Sequence, residues 1–157
     1  MEIVRATDKD IPGIHRLLSQ VEEVHRKGRP DIFRLNARKY SDEELGELLA
    51  DGSFVIFVCH GEEGEVLAHA FCQIKDIRGD AVLIDRKTLY IDDICVEETA
   101  RGRGIGRAVF DFVMDYAGKE GFYNVTLNVW ECNPGAKAFY ECMGMKIQKY
   151  GMEMILQ

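Results

Sequence analysis

Residues 101–106 combine arginines and glycines in an order that suits the binding of an anion. They read Arg-Gly-Arg-Gly-Ile-Gly, follow a strand-like run that ends at Val96, and precede apolar residues at helical spacing. Glycines let the backbone approach a ligand closely, and the free N–H groups of a first helical turn point toward it with the positive end of the helix dipole behind them. The sequence therefore predicts a strand, an anion-binding turn and a helix in this order.

The spacing of these glycines excludes two common nucleotide-binding motifs. A P-loop ends in Gly-Lys followed by Ser or Thr, and no such triplet follows the glycines. A dinucleotide fingerprint requires a third small residue, but the frames that start at Gly102 and Gly104 place Arg107 and Val109 at that position. The anion is therefore expected to be a phosphate group held in another way.

Two adjacent carboxylates, Asp92 and Asp93, lie within the strand-like run that precedes the turn. Because neighbouring side chains of a strand point to opposite faces, we expect one to face a cleft and the other to face the opposite layer or a neighbour. Either carboxylate could bind an ammonium group or pass its proton to water, and the alternative is that both are ordinary polar strand residues. Three further acids could line the cleft and are not ranked: Glu22, Glu23 and Glu131.

The elements that must position these groups follow the order β-α-α-β-β-β-α-β-α-β. Capping signals begin helices at Thr7, Ser41 and Asn133, and Gly144 ends the last helix. The other predicted spans are strands 53–60, 66–77, 88–96 and 123–130, the helix 104–120, and one or two final strands within 145–156. A helix that crosses between strands 88–96 and 123–130 predicts a parallel strand pair.

The remaining aromatic residues and histidines carry weaker signals. Phe33 lies in the loop 28–40 and either covers a substrate cleft or packs on the core, and Trp130 either forms a wall of a pocket or simply packs. We expect His15 and His25 to face solvent from their helix. His69 alternates within a strand, and a structural histidine is favoured there over a catalytic base.

Composition indicates one soluble domain over residues 1–157. Hydrophobic residues make up 46% of the chain and charged residues 30%. No apolar run reaches the roughly 18–20 residues that a membrane span needs, and the start lacks a signal-peptide pattern, so a cytoplasmic protein without a membrane partner is expected. The net charge of −7 argues against nucleic acid. Five cysteines without a CxxC pair predict neither a disulfide framework nor a metal site.

Two motifs in this order of elements resemble those of the GNAT family, the Gcn5-related N-acetyltransferases. Arg101, Gly104 and Gly106 fit the turn R-x-x-G-x-G. A downstream set fits N-x-x-A-x-x-[FLY]-Y-x-x-x-G-[FM]: Asn133, Ala136, Phe139, Tyr140, Gly144 and Met145. The resemblance covers nearly the whole chain. It implies an acyl-CoA N-acyltransferase fold, which is a mixed, mostly antiparallel sheet with a central splayed parallel strand pair flanked by helices.

The resemblance also implies acetyl-CoA as cosubstrate and direct acetyl transfer to a primary amine. Backbone N–H groups of the turn would hold the pyrophosphate, the pantetheine arm would pair with the preceding strand, and an N–H near Val96 would polarise the thioester carbonyl. Tyr140 matches the family's general acid, although a core aromatic is the alternative. The implied cofactor-binding residues are Ile94, Cys95, Val96, Arg101, Gly102, Arg103, Gly104, Ile105, Gly106, Arg107, Asn133 and Tyr140.

The acceptor is less well indicated than the donor. Some family members carry a glutamate where this chain has Asn128, which puts acetylation of a ribosomal protein in doubt. Polyamine acetyltransferases of the family carry an acidic pair at the place of Asp92 and Asp93, so a small polyamine-like amine or amino-group metabolite is the favoured acceptor. The alternatives are protein N-terminal or lysine acetylation and a non-catalytic acyl-CoA-binding module.

Two further expectations concern the cysteines and the end of the chain. Cys132 and Cys142 lie near the expected site, but no histidine in a motif would activate either thiol as an acyl carrier. The apolar residues that end the chain make a homodimer possible.

Overall fold

The computed structural model describes residues 1–156, which form a five-stranded sheet flanked by four α-helices. The strands are β1 Glu2–Arg5, β2 Phe54–His60, β3 Val66–Ile77, β4 Arg86–Val96 and β5 Asn124–Leu127. The helices are α1 Ile11–Gly28, α2 Asp42–Ala50, α3 Ile105–Lys119 and α4 Pro134–Cys142. Short 3₁₀ turns, Asp8–Asp10 and Glu98–Ala100, precede α1 and α3.

The strands lie in chain order from β1 to β5, and β4–β5 is the parallel pair. The other neighbours are antiparallel. Apolar residues three or four apart place one face of α1 and α2 against one side of the sheet, and α3 packs in the same way on the other side. The fully buried aliphatic residues of these helices are Ile14, Leu17, Leu18, Leu45, Val109 and Val113.

The parallel pairing is short and ends beside an irregularity in β4. β4 pairs with β5 from Thr88 to Ile91 and then continues to Val96. At the same point its register with β3 shifts, which leaves Asp92 as an extra residue, a β-bulge. In a regular strand, residues 91 and 95 of β4 would face the same side of the sheet, but the bulge between them places them on opposite sides. Ile91 lies in the core with α3, whereas the Cys95 thiol lies 3.4 Å from the Leu17 carbonyl oxygen on α1.

The structure confirms the mixed α/β fold and its parallel strand pair, and it corrects the end of the chain. Residues 145–156 form no strand, so the pair lies at the edge of the sheet and not at its centre. β5 ends at Leu127, earlier than the predicted span 123–130, because β4 diverges from it there. The tail has strand-like alternation, but a strand forms only where a neighbour supplies hydrogen bonds.

The cysteines are free thiols, and Cys59, Cys72 and Cys95 are buried as the apolar patterns predict. Within residues 1–156, no helix combines the length and apolar character that a membrane crossing requires. In the same part of the chain, no group of three or more acidic, histidine or cysteine side chains is arranged to hold a metal ion.

Asp10 should stabilise the start of α1 in a pH-dependent way. Its carboxylate accepts from the Thr7 backbone N–H at 2.8 Å and lies 2.7 Å from Nε2 of His60. Burial alone raises the pKa of Asp10, but these contacts outweigh burial and hold the pKa below its ordinary value of 3.8. We expect Asp10→Asn to lower the unfolding free energy at pH 7 by about 1–3 kcal/mol in urea titrations.

The sign of the pH dependence follows from the lowered pKa. The stabilisation is complete above the pKa of the unfolded chain and disappears as pH falls through the folded value. The difference between wild type and Asp10→Asn should therefore shrink as pH falls below about 4. Asp8→Asn, an exposed change in the same turn, is the control and should have little effect. A difference that stays constant down to acid pH would contradict this role.

Candidate active site

The unpaired edge of β4 over residues 92–96 is the centre of the candidate site. The strand remains extended to Val96, but its pairing with β5 stops at Ile91. Backbone N–H and C=O groups along an unpaired edge can bind an extended ligand as an added strand would. Ile94, Cys95 and Val96, which the family resemblance implies as cofactor-binding residues, lie on this stretch.

The glycine turn lies directly beyond this edge and leaves the first turn of α3 open. Gly102 and Gly104 have φ values of +76° and +82°, a region that residues with a side chain rarely adopt. Gly104 is the N-cap of α3 and no side chain caps the helix, so the first N–H groups have no intrahelical partner. Arg101 donates from Nε to the Val96 carbonyl oxygen at 3.1 Å, which ties the turn to β4. Arg103 and Arg107 are exposed beside it.

Close contacts bring α3, the end of β4 and α4 together. A Cβ added at Gly106 would lie 3.5 Å from Cγ2 of Val96 and 3.6 Å from Cε2 of Phe139. The side-chain oxygen of Asn133 accepts from the Ala136 N–H at 3.1 Å and so caps α4. The predicted Asn133 side chain thus positions the helix that carries Tyr140.

Tyr140 is half-buried on α4, with its ring centroid 6.2 Å from that of Phe110 on α3. Burial raises the pKa of Tyr140, and the negative charge of Asp93 raises it further. The phenol therefore stays protonated at neutral pH, which is the state that a proton donor needs. Tyr140 packs against the same core cluster as Ile94 and Val96 of β4.

The two aspartates have separate partners. Asp92 Oδ2 lies 2.7 Å from Nζ of Lys39, and Asp93 Oδ2 lies 2.7 Å from Nε2 of His69. The His69 ring packs edge-on against Phe71, a member of the core cluster that α1 and α2 form, and Lys39 precedes that cluster's Tyr40. We expect one carboxylate to face the cleft and the other to face the opposite layer or a neighbour; the bulge at Asp92 interrupts the strand alternation on which this expectation rests.

Helix α1 adds further titratable groups to this cluster. Burial raises the pKa of Glu22, with Lys39 acting in the opposite sense and Asp93 in the same sense. Burial alone lowers the pKa of Lys39, but its bond to Asp92 outweighs burial and raises it, so Lys39 stays charged. Burial lowers the pKa of His25, which favours its neutral form. The two carboxyl groups of Asp92 and Asp93 thus outnumber the one ammonium group of Lys39 in this cluster.

The other two candidate acids take no part in this cluster. Glu23 is paired with Arg26 at 2.7 Å, and Glu131 is exposed.

The loop 29–41 connects the two sides of the site. Phe33 packs between His25 of α1, at 5.2 Å between ring centroids, and Trp130 beyond β5, at 5.3 Å. Phe33 belongs to neither core cluster, so the interpretation of it as a covering residue is the better one. The expectation that His25 faces solvent is wrong, because its side chain is half-buried against Phe33.

His69 and Lys39 contact the two aspartates, and neither contact is predicted from the sequence. The alternation of β3 favours a structural role for His69, and it does not show which residue of β4 lies beside it. The bulge sets that register, and no local sequence signal marks the bulge. Lys39 lies in a loop without a motif.

Comparison with known proteins agrees with this geometry. The sequence model of the Acetyltransferase (GNAT) family matches residues 17–145. The chain belongs to this family. Members of the family use acetyl-CoA as cosubstrate, and the chain is accordingly an N-acetyltransferase.

Relatives and solved structures extend the match over most of the chain. An uncharacterised N-acetyltransferase of Lactobacillus delbrueckii subsp. lactis is 27% identical over 150 residues, 92% of this chain and 84% of that one. Glucosamine 6-phosphate N-acetyltransferase of Arabidopsis thaliana is 29% identical over 143 residues, 73% of this chain and 91% of that one. A mutant of the BH1408 protein of Bacillus halodurans matches with a TM-score of 0.96 and 34% identity over 100% of both chains.

Proposed function

We propose that this protein transfers the acetyl group of acetyl-CoA directly to a primary amine of a small metabolite. The observation that carries the proposal is the unpaired edge of β4, which runs from Asp93 to the open N-terminus of α3, with Tyr140 packed against the same core cluster as Ile94 and Val96. This arrangement offers a place for an extended amide-bearing arm, for a phosphate group, for a base and for an acid.

The donor would lie along this edge. The N–H groups of residues 103–107 would bind the pyrophosphate, and the exposed Arg103 and Arg107 would add positive charge. The pantetheine arm would pair with Ile94 to Val96, and the backbone N–H near Val96 would polarise the thioester carbonyl and stabilise the oxyanion. The acetyl group would then lie between Asp93 and Tyr140.

The reacting groups of the chain have distinct tasks in this scheme. An alkylamine with a pKa near that of lysine, about 10.4, enters as an ammonium ion and must lose a proton before it attacks. Asp93 is the proposed acceptor of that proton, directly or through water, and Asp92 with Lys39 lies beside it. Tyr140 donates its proton to the sulfur as the CoA thiolate departs.

The charge of the site favours a cationic acceptor. Two carboxylates, Asp92 and Asp93, lie in this part of the site with one ammonium group, that of Lys39, and burial biases His25 toward its neutral form. The contact of Lys39 with Asp92 at 2.7 Å supports the binding of an ammonium group at these carboxylates. A small polyamine-like amine or another amino-group metabolite fits this environment. The Arabidopsis relative is named for an amino-group metabolite, the amino-sugar phosphate glucosamine 6-phosphate.

An acceptor screen tests the proposal together with the role of Tyr140. The protein is incubated with acetyl-CoA and a panel of polyamines, amino sugars and peptides, and thiol release is followed. We expect turnover on at least one small amine. Tyr140→Phe should lower kcat about 100-fold, since a general acid contributes about 10²–10⁴, while CoA affinity measured by calorimetry stays unchanged.

Phe139→Leu is the matched control, because it changes the adjacent α4 side chain and removes no proton donor; it should lower kcat far less. A Tyr140→Phe enzyme as fast as wild type would refute the assignment of the acid. Turnover on peptides alone would redirect the function to protein acetylation, and no turnover on any amine would leave only a CoA-binding module.

Gly104→Ala tests the turn as the CoA pyrophosphate site. A side chain at φ +82° costs about 1–2 kcal/mol, and relaxation of this strain would move the N–H groups that face the ligand. We expect CoA to bind about tenfold more weakly by calorimetry, which corresponds to about 1.4 kcal/mol. Gly118→Ala, in α3 but with no atom within 4 Å of the added Cβ, should leave the affinity unchanged. Equal CoA affinity in both variants would contradict this site.

We also propose that the protein forms a homodimer through its C-terminal tail. β5 has a free outer edge, and α4 has no fully buried residue. Residues 145–156 form no helix or strand, and the apolar side chains of this tail are 54–91% exposed: Ile147, Tyr150, Met152, Met154, Ile155 and Leu156. In the proposed dimer, each tail pairs with the free β5 edge of the other chain. A second copy thus supplies a partner for the tail and a partner for β5.

Light scattering after size-exclusion chromatography tests the dimer. We expect wild type to have about twice the 17.9 kDa mass of the chain. Met152→Lys should shift the population to monomer because it places a charge in the apolar tail. Val82→Lys, at an equally exposed apolar residue of the β3–β4 loop, should remain dimeric. A monomeric wild type would rule out the dimer.

A further inference from the structure

His69 is buried at the centre of the sheet in a setting that packing does not account for. It is fully buried on β3, between Val58 of β2 and Cys95 of β4. Its Nδ1 is the one fully buried side-chain polar atom without a hydrogen-bond partner in residues 1–156. An unpartnered buried polar atom destabilises a fold, so an apolar side chain would serve the core better at this position.

The other nitrogen of His69 connects this buried position to the site. Nε2 lies 2.7 Å from Oδ2 of Asp93, whose side chain is 10% exposed. Asp93 follows the bulge, where β4 has left β5. The contact uses Oδ2 and leaves Oδ1 for another partner. The pair therefore runs from the interior of the sheet to the surface of the site.

We propose that His69 is a positioning residue for acetyl transfer, which holds Oδ2 of Asp93 from inside the sheet so that Oδ1 faces the acceptor amine. The inference rests on the proposed function and adds a group to it. His69 touches neither the amine nor the thioester in this scheme and acts only through Asp93.

The neighbouring charges explain why Asp93 needs such a partner. Lys39 lies close enough to Asp93 for their charges to interact, and it already holds Asp92. On α1, burial raises the pKa of Glu22 and lowers that of His25, and the negative charge of Asp93 raises both. Without His69, the Asp93 carboxylate is free to rotate toward the Lys39 ammonium group. That contact would neutralise the charge of Asp93 and move its Oδ1 away from the acceptor amine.

The proton transfers balance in this scheme. The ammonium group of the acceptor gives one proton to Oδ1 of Asp93, which later releases it to solvent. The amine nitrogen then bonds to the acetyl carbon, the C–S bond breaks, and sulfur takes the proton of Tyr140. The second proton of the attacking nitrogen returns to the Tyr140 oxygen. His69 keeps its contact with Oδ2 throughout, so it gains and loses no proton.

Four variants test the proposal by steady-state kinetics with the acceptor that the screen identifies. Asp93→Asn should lower kcat about 100-fold, and His69→Leu, which removes the hydrogen-bonding nitrogen, about 10-fold or more. His69→Gln should recover part of the loss, since its amide N–H can still reach Asp93. In the double variant His69→Leu with Asp93→Asn, kcat should equal that of Asp93→Asn alone, because His69 acts only through Asp93. The KM for acetyl-CoA should not change.

His60→Leu is the matched control, since it breaks another His–Asp contact of 2.7 Å, to Asp10, far from Asp93 in the sheet. It should lower the melting temperature and keep kcat. Independent losses that multiply in the double variant, or a His69→Leu enzyme that keeps kcat, would overturn the role of His69 and leave the proposed function intact. A wild type without turnover on any amine would overturn both.

Discussion

The separation of β4 from β5 after Ile91 is the constraint on which the rest of the site depends. A parallel pair that continued to Val96 would use every backbone group of β4 internally and leave no edge for a ligand. The pairing that remains is short, and polar side chains reinforce it: Thr88 donates to the Asn124 side chain at 2.7 Å. Beyond it, Asn128 donates to the Tyr90 hydroxyl at 3.1 Å. β4 and β5 are thus held together up to Ile91, while the edge of β4 from residue 92 to 96 stays free.

The bulge at Asp92 and the opening act together. An extra residue in β4 increases the local twist and bends the strand, and it reverses which side chains face α1. Cys95 then lies in the apolar core beside Leu17, and Asp93, on the same face of β4, contacts His69. A regular strand would instead have turned one aspartate into the α3 core, where an uncompensated charge is costly. The irregularity therefore makes an acidic pair compatible with a sheet that is covered on both faces.

Local signals predicted most of the fold, and long-range pairing limited the rest. The caps at Ser41 and Asn133, the glycine turn and the apolar periodicity of α1 and α3 depend on neighbours in sequence, and they lie where the sequence places them. The partners of the aspartates depend on the β3–β4 register, which the bulge shifts. The early end of β5 and the missing final strands have the same origin, because strand formation depends on a partner that periodicity does not reveal.

The position of Tyr140 connects the tail to the chemistry. α4 is held by its Asn133 cap and by aromatic contacts from Phe139 and Tyr140 to Phe110. None of its residues is fully buried, and Arg29 near the end of α1 pairs with Glu153 of the tail. A second copy that covers the tail would therefore also restrain α4, and with it the distance between the phenol and the thioester. Since misplacement of a reacting group by about 1 Å can cost about 100-fold in rate, the proposed dimer would couple association of two chains to acetyl transfer.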